Sequence, residues 1–214
     1  MVYNDVLKRD IPLGWNVEQI KDCVKHINTG LNPRDNFELN IGGKVKYITV
    51  KNITSFGTLD FSSCDFITEE VKEIINKRSK IKEGDILFAS IAPLGRCYLI
   101  YETPYNWEIN ESVFSIRTNN TISPEYLYMF FMSNHFIRKA EQNSTGSVFS
   151  GIRISTLENM NILIPSTHDI ENFTKNIYTI YSRKYKFEKE NQELTCLRDW
   201  LIPMLMNGQV EVIE

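Results

Sequence analysis

The chain has 214 residues, 42% hydrophobic and 12% aromatic, which is enough apolar side chain for a packed core and too much for a disordered chain. Its formal net charge of −3 lacks the basic excess of a free-standing nucleic-acid binder, so any such role must rest on local charge. No apolar run approaches the roughly 20 residues of a membrane-spanning helix, and the opening residues show no basic-then-apolar signal pattern; a cytoplasmic protein with no membrane partner is expected.

Residues 1–165 read as a mixture of short elements. Ile11-Pro12-Leu13-Gly14-Trp15 is a lead-in turn before a polar–apolar segment to Ile27, and Asn28-Thr29-Gly30-Leu31-Asn32-Pro33 breaks the chain. After the Gly42-Gly43 turn, residues 44–50 alternate as a strand does. The segment 85–90 is short, apolar and bounded by Glu83-Gly84 and Pro93, which predicts a buried strand, with 96–101 as its hairpin partner. Residues 112–117 are a further strand. Ser123-Pro124-Glu125 carries a serine cap, a proline at the first helical position and an acid in the first turn, predicting one helix to about Ala140. A polar loop at 142–147 follows, then a last short strand at 161–164 closed by Pro165.

Beyond Pro165 the pattern changes. Ser166 or Thr167 can cap a helix with no glycine or proline before Pro203. Phe173, Ile180, Phe187, Leu194 and Leu201 are spaced by seven, and a companion series, Ile170, Ile177, Lys184, Asn191 and Arg198, turns from apolar to polar. Two interleaved seven-residue series mark a helix packing along another helix, here over 169–200 and roughly 48 Å long. The alternative is an ordinary helix lying on its own domain. The expected organisation is therefore α+β, with a domain at 1–165, a long coiled-coil-forming helix at 166–207 and a tail at 208–214.

Catalytic signatures are scarce. No phosphate-cradling glycine loop and no Gly-x-Ser-x-Gly elbow occurs. Cys23, Cys64, Cys97 and Cys196 are widely scattered, as are His26, His135 and His168, so no metal centre is expected. Asp60 or Asp65 with Glu70-Val71-Lys72 can be forced into a metal-dependent nuclease pattern, but acid-x-Lys recurs by chance in charged chains. Local charge is more telling: residues 71–82 hold Lys72, Lys77, Arg78, Lys80 and Lys82 against Glu73 alone, and 42–51 hold Lys44, Lys46 and Lys51 with no acid.

Taken in order, several segments resemble the specificity subunits of type I restriction–modification enzymes. Ile11-Pro12-Leu13-Gly14-Trp15 and Asn28-Thr29-Gly30-Leu31-Asn32-Pro33 are similar to the opening of that family's recognition domain. Lys46-Tyr47-Ile48-Thr49-Val50 looks like its early strand, and Gly84-Asp85-Ile86-Leu87-Phe88-Ala89-Ser90 with Pro93-Leu94-Gly95 like its central hairpin. Asn143-Ser144-Thr145-Gly146-Ser147 with Ile162 to Pro165 resembles the domain's end, and Leu197-Arg198-Asp199-Trp200-Leu201 through Val210 is the most specific match. The family pattern occurs here once rather than twice.

That resemblance implies a non-catalytic subunit that reads double-stranded DNA and holds methyltransferase (modification) subunits, with restriction subunits as an optional third component. S-adenosylmethionine would then bind the modification subunit, and this chain would need no cofactor. The single pattern and the seven-spaced helix together suggest a homodimer through Phe173, Ile177, Ile180, Phe187, Asn191, Leu194 and Leu201, reading a two-part palindrome. Candidates for phosphate contact are Lys44, Lys46, Lys51, Lys77, Arg78 and Lys80. Candidates for base or groove contact are Tyr47, Asn52, Arg96, Ser147 and Arg153, with Tyr47 also readable as a core strand residue. The rival classes are a coiled-coil adaptor or decoy that binds protein rather than DNA, and the nuclease.

Overall fold

A computed structural model describes residues 1–34, 36–144 and 151–210. The chain opens with β1 (Val2–Asn4), β2 (Arg9–Ile11), β3 (Asn16–Gln19), a short α1 (Ile20–Cys23) and β4 (Val24–Thr29). There follow β5 (Val45–Ile48), a 3-10 turn (Val50–Asn52), β6 (Asp65–Ile67) and α2 (Glu69–Ser79). Next come β7 (Ile86–Ala89), β8 (Cys97–Leu99), β9 (Trp107–Ile109) and β10 (Val113–Thr118). The chain continues through α3 (Pro124–Phe131), α4 (Asn134–Gln142), α5 (Ile154–Glu158), β11 (Asn161–Ile164) and α6 (Thr167–Met206).

The apolar run after Gly84 becomes β7, whose four residues are all buried because both faces are covered. It lies in a sheet of order β4-β10-β7-β8, antiparallel throughout, with β8 as the expected hairpin partner. On one face Phe88 meets Phe131 and Phe136 from α3 and α4, with ring centroids 5.2 and 5.9 Å away. On the other, Leu87, Ala89 and Val113 share a buried cluster with Ile48, Trp107 and Ile109 of a second sheet, ordered β6-β5-β9. That sheet turns Val45, Tyr47 and Ile67 towards Val71 and Ile75 of α2. Helix, sheet, sheet and helix thus stack within Met1–Thr174, in agreement with the expected α+β class. Two small pairs, β1 with β2 and β11 with β3, complete this unit.

The single helix expected over 123–140 is two. Ser123 caps α3 as predicted, its Oγ accepting from the Tyr126 N–H at 3.2 Å. Ser133 then caps α4 in the same way, accepting from the Phe136 N–H at 3.2 Å. The break turns Phe131 and Phe136 onto the same ring, which a straight helix with five-residue spacing would not do.

A largely buried ion pair ties β10 to the turn before β7. Asp85, fully buried, accepts from Arg117 Nε at 2.6 Å and from Nη2 at 2.7 Å, a two-pronged contact between β10 and the turn before β7. Its Oδ2 also accepts from the Lys82 backbone N–H at 2.9 Å, and Arg117 Nη2 donates to the Lys80 carbonyl at 3.0 Å.

Ser166 starts α6, accepting from the Asp169 N–H at 3.2 Å, and Asp169 in turn accepts from Trp15 Nε1 at 3.0 Å. Phe173 packs edge-on against Tyr126, 5.7 Å between centroids, and the first compact unit runs to Thr174. The helix has 40 residues, about 60 Å at 1.5 Å per residue. It runs through Pro203 and ends at Met206. Gly208 follows, and its φ of 65° permits the closing bonds from Gly208 N to the Leu205 carbonyl and from Gln209 N to the Met204 carbonyl. The second unit is Lys175–Glu214. No described residue of α6 is buried; Ile180, Phe187 and Leu194 are 60%, 64% and 55% exposed.

Asp85→Ala leaves a partly buried guanidinium without its carboxylate and should lower the unfolding free energy by about 3 kcal/mol. Urea titration checks this, and an unchanged midpoint would contradict it. Glu108, buried on β9 beneath α2 with Oε2 unpartnered, is pushed up from 4.5 to about 8, chiefly by burial, with Lys72 opposing and Glu73 adding. A raised carboxyl stabilises the fold fully below pH 4.5 and loses that contribution as pH rises through about 8. Glu108→Gln should therefore flatten the fall in Tm between pH 4.5 and about 8. An unaltered pH dependence of melting would exclude that role.

Candidate nucleic-acid interface

The basic candidates fall into two groups. The first surrounds β5. Gly43 lies so close to β6 that a Cβ would stand 2.4 Å from the Ile67 backbone, and this contact delivers Lys44, exposed, to the start of β5. Lys46 Nζ sits 4.3 Å above the Phe61 ring, and Lys51 Nζ is 3.4 Å from Asp65 Oδ2. Asn40 donates to Asp65 at 3.0 Å, and that bond, with Lys51 adding to it, holds the Asp65 carboxyl below its ordinary range. Cys64 lies in the field of Lys46 and Lys51, yet burial dominates and pushes its thiol to about 11.

Two of the candidates for base contact, Tyr47 and Asn52, are buried. Tyr47 is 1% exposed; its hydroxyl donates to the Leu31 carbonyl and its ring stands edge-on to Phe37 at 5.6 Å. Burial raises the pKa of that hydroxyl. Asn52 is fully buried: its Oδ1 accepts from the Thr49 N–H at 2.9 Å, and its Nδ2 donates to the Asp60 carbonyl at 3.1 Å. The Thr49-x-x-Asn52 spacing, a reciprocal cap, was the sequence signal for this. Neither side chain can reach a base edge while these contacts stand.

Arg96 is half-buried, with Nη1 3.5 Å from the Ile53 carbonyl. Arg153 is exposed at the N-cap of α5. Ser147 lies outside the described residues.

The second basic group is at the end of α2. Lys77, Arg78 and Lys80 are all exposed, and Arg78 Nη2 donates to Thr29 Oγ1 at 3.0 Å, joining the helix end to β4. Strand pairing sets His26 opposite Arg117, so Lys25, His26 and Lys82 come to the same end of the sheet. Lys82 belongs to the basic run visible in the sequence, whereas Lys25 and His26 carried no signal, because a partner some ninety positions away places them.

The nuclease pattern is not assembled. Lys72 Nζ contacts Glu69 Oε2 at 3.1 Å and the Tyr105 carbonyl, while Asp60 accepts from the Ser62 N–H at 2.9 Å. Among the described residues no three His, Cys, Asp or Glu side chains group as a metal site, and no helix is long and apolar enough to cross a membrane.

Known proteins place this architecture. The profile of the type I restriction modification DNA specificity domain matches residues 12–195. The specificity subunit of the type I restriction enzyme MjaIX of Methanocaldococcus jannaschii is 22% identical over 214 residues, all of this chain and 48% of that one. The HindI specificity subunit of Haemophilus influenzae is 25% identical over 207 residues, 94% of this chain and 42% of that protein. The crystal structure of a type I restriction–modification S subunit from M. genitalium superposes with a TM-score of 0.58 at 15% identity, covering 92% of this chain and 46% of the other. The chain spans about half the length of the curated relatives it matches. It belongs to the family of type I restriction modification DNA specificity domains.

Proposed function

We propose that this chain reads DNA sequence for a type I restriction–modification system, with one target-recognition domain and no catalytic centre of its own. The match of the specificity-domain family over residues 12–195 carries this reading, since it takes in nearly all of the layered domain and much of α6. Sequence reading divides between cations that fix the phosphates and side chains that reach base edges. Lys44, Lys46, Lys51, Lys77, Arg78 and Lys80 take the first role. Arg96, Arg153 and Ser147 take the second, while Tyr47 and Asn52 hold the loops that flank β5. Methyl transfer, with its S-adenosylmethionine, belongs to modification subunits that this chain docks, and a restriction subunit can join them.

The chain acts as a two-fold dimer through α6, with the recognition domains at opposite ends of the helix pair. Support comes from Ile180, Phe187 and Leu194, large apolar side chains spaced by seven and each more than half exposed. A second copy covers this stripe with the same stripe, as an isologous contact does. Two identical domains related by a dyad read a palindrome in two parts, with an unread spacer between them.

The wild-type chain should sediment at twice its 25.0 kDa mass and retrieve a two-part palindrome from a pool of random duplexes. Phe187→Asp with Leu194→Asp should yield monomers that retrieve no two-part motif. A wild-type monomer or an asymmetric motif would contradict the dimer. Retrieval of no motif by the wild type would contradict DNA reading itself.

A further inference from the structure

We propose that Lys25 and His26 of β4, together with Arg78, Lys80 and Lys82, form one row that grips a DNA backbone along the outer strand of the four-stranded sheet. The proposal rests on the DNA-reading function and adds Lys25, His26 and Lys82 to the residues that would serve it.

Three separate pieces of chain converge here. Among the described residues β4 pairs with β10 alone, so it is an outer strand. Arg78 reaches it from α2 through Thr29, at 3.0 Å. The turn that follows α2 is pinned by backbone bonds: the Lys80 carbonyl accepts from Arg117 Nη2 at 3.0 Å, and the Lys82 N–H donates to Asp85 Oδ2 at 2.9 Å. Backbone pinning leaves the lysine side chains to solvent, and Lys25, Lys80 and Lys82 are all exposed. From His26 to Thr29 is three residues, roughly 10 Å of strand.

The charge balance of this row is one-sided. Asp85 faces it, but both its oxygens are already held by Arg117. Among the described residues no carboxylate forms an ion pair with Lys25, Arg78, Lys80 or Lys82. The imidazole of His26 is held below its ordinary range by burial first, then by Arg117 of β10, with Lys82 and Lys25 adding to it and Asp85 alone opposing. Cations gathered in this way repel one another in the free protein. A polyanion relieves that repulsion, and DNA carries a charge every ~3.4 Å along each strand, which matches an open row better than a single small anion does. A phosphate beside His26 also favours the imidazolium, so binding takes up a proton there and strengthens as pH falls.

The test uses the full chain and a 30-base-pair duplex of mixed sequence, with affinity measured against salt at pH 6 and 7.5. Lys25→Gln with Lys82→Gln should lower the slope of log K against log salt by about 1.8, at roughly 0.9 per lost phosphate contact. Lys175→Gln with Lys186→Gln removes the same charge from exposed positions of α6 and should leave the slope unchanged. The wild type should bind more tightly at pH 6, and His26→Gln should lose most of that gain. A Lys25/Lys82 variant with the wild-type slope would overturn the row, leaving the DNA-reading function standing. A wild-type chain with no salt-dependent affinity for the duplex would overturn both.

Discussion

The two-pronged contact of Arg117 with the buried Asp85 joins β10 to the turn before β7 and to the path of the chain after α2. A buried carboxylate is costly unless its lone pairs are met, and here the guanidinium and the Lys82 N–H meet them together. The same contact orders Lys80 and Lys82 from the backbone outward, while the β4–β10 register sets Arg117 across from His26. A residue pair within the fold thus decides where cations stand on the surface, which links stability to any role in holding DNA.

Local signals carried most of the elements. β7 was legible because an apolar run between Glu83-Gly84 and Pro93 has few other structures open to it, and α3 because Ser123-Pro124-Glu125 is a cap with a mechanism. What escaped was non-local. The parallel pairing of β5 with β9 joins Lys46 to Trp107, and β11 returns from Asn161 to Gln19; neither register is written in either segment alone. The split between α3 and α4 was written locally, in the Ser133 cap, but a continuous apolar face concealed it.

The candidate site shows the same division. Exposed lysines of α2 could be read from composition, since a helix end followed by a basic turn puts charge in solvent. Tyr47 and Asn52 have residue types that suit base contact, but Tyr47 is buried, as its alternative reading as a core strand residue allowed, and Asn52 is taken up by the reciprocal cap with Thr49. Lys25 and His26 lay outside any basic run and became visible only through the β4–β10 register. Along α6 the situation is reversed: the seven-spaced series stood out in the sequence, and the structure adds that Phe173 is taken up by Tyr126 while Ile180, Phe187 and Leu194 stay uncovered. The stripe thus begins in contact with the domain and continues as an apolar surface that a second helix can cover.

On the function proposed above, this chain decides which DNA sequence is methylated. The most direct measurement is the map of methylated bases in the host genome with the gene present and with it deleted. Deletion should erase one two-part palindromic motif and leave every other modified motif in place. A map that is identical in the two strains would contradict it.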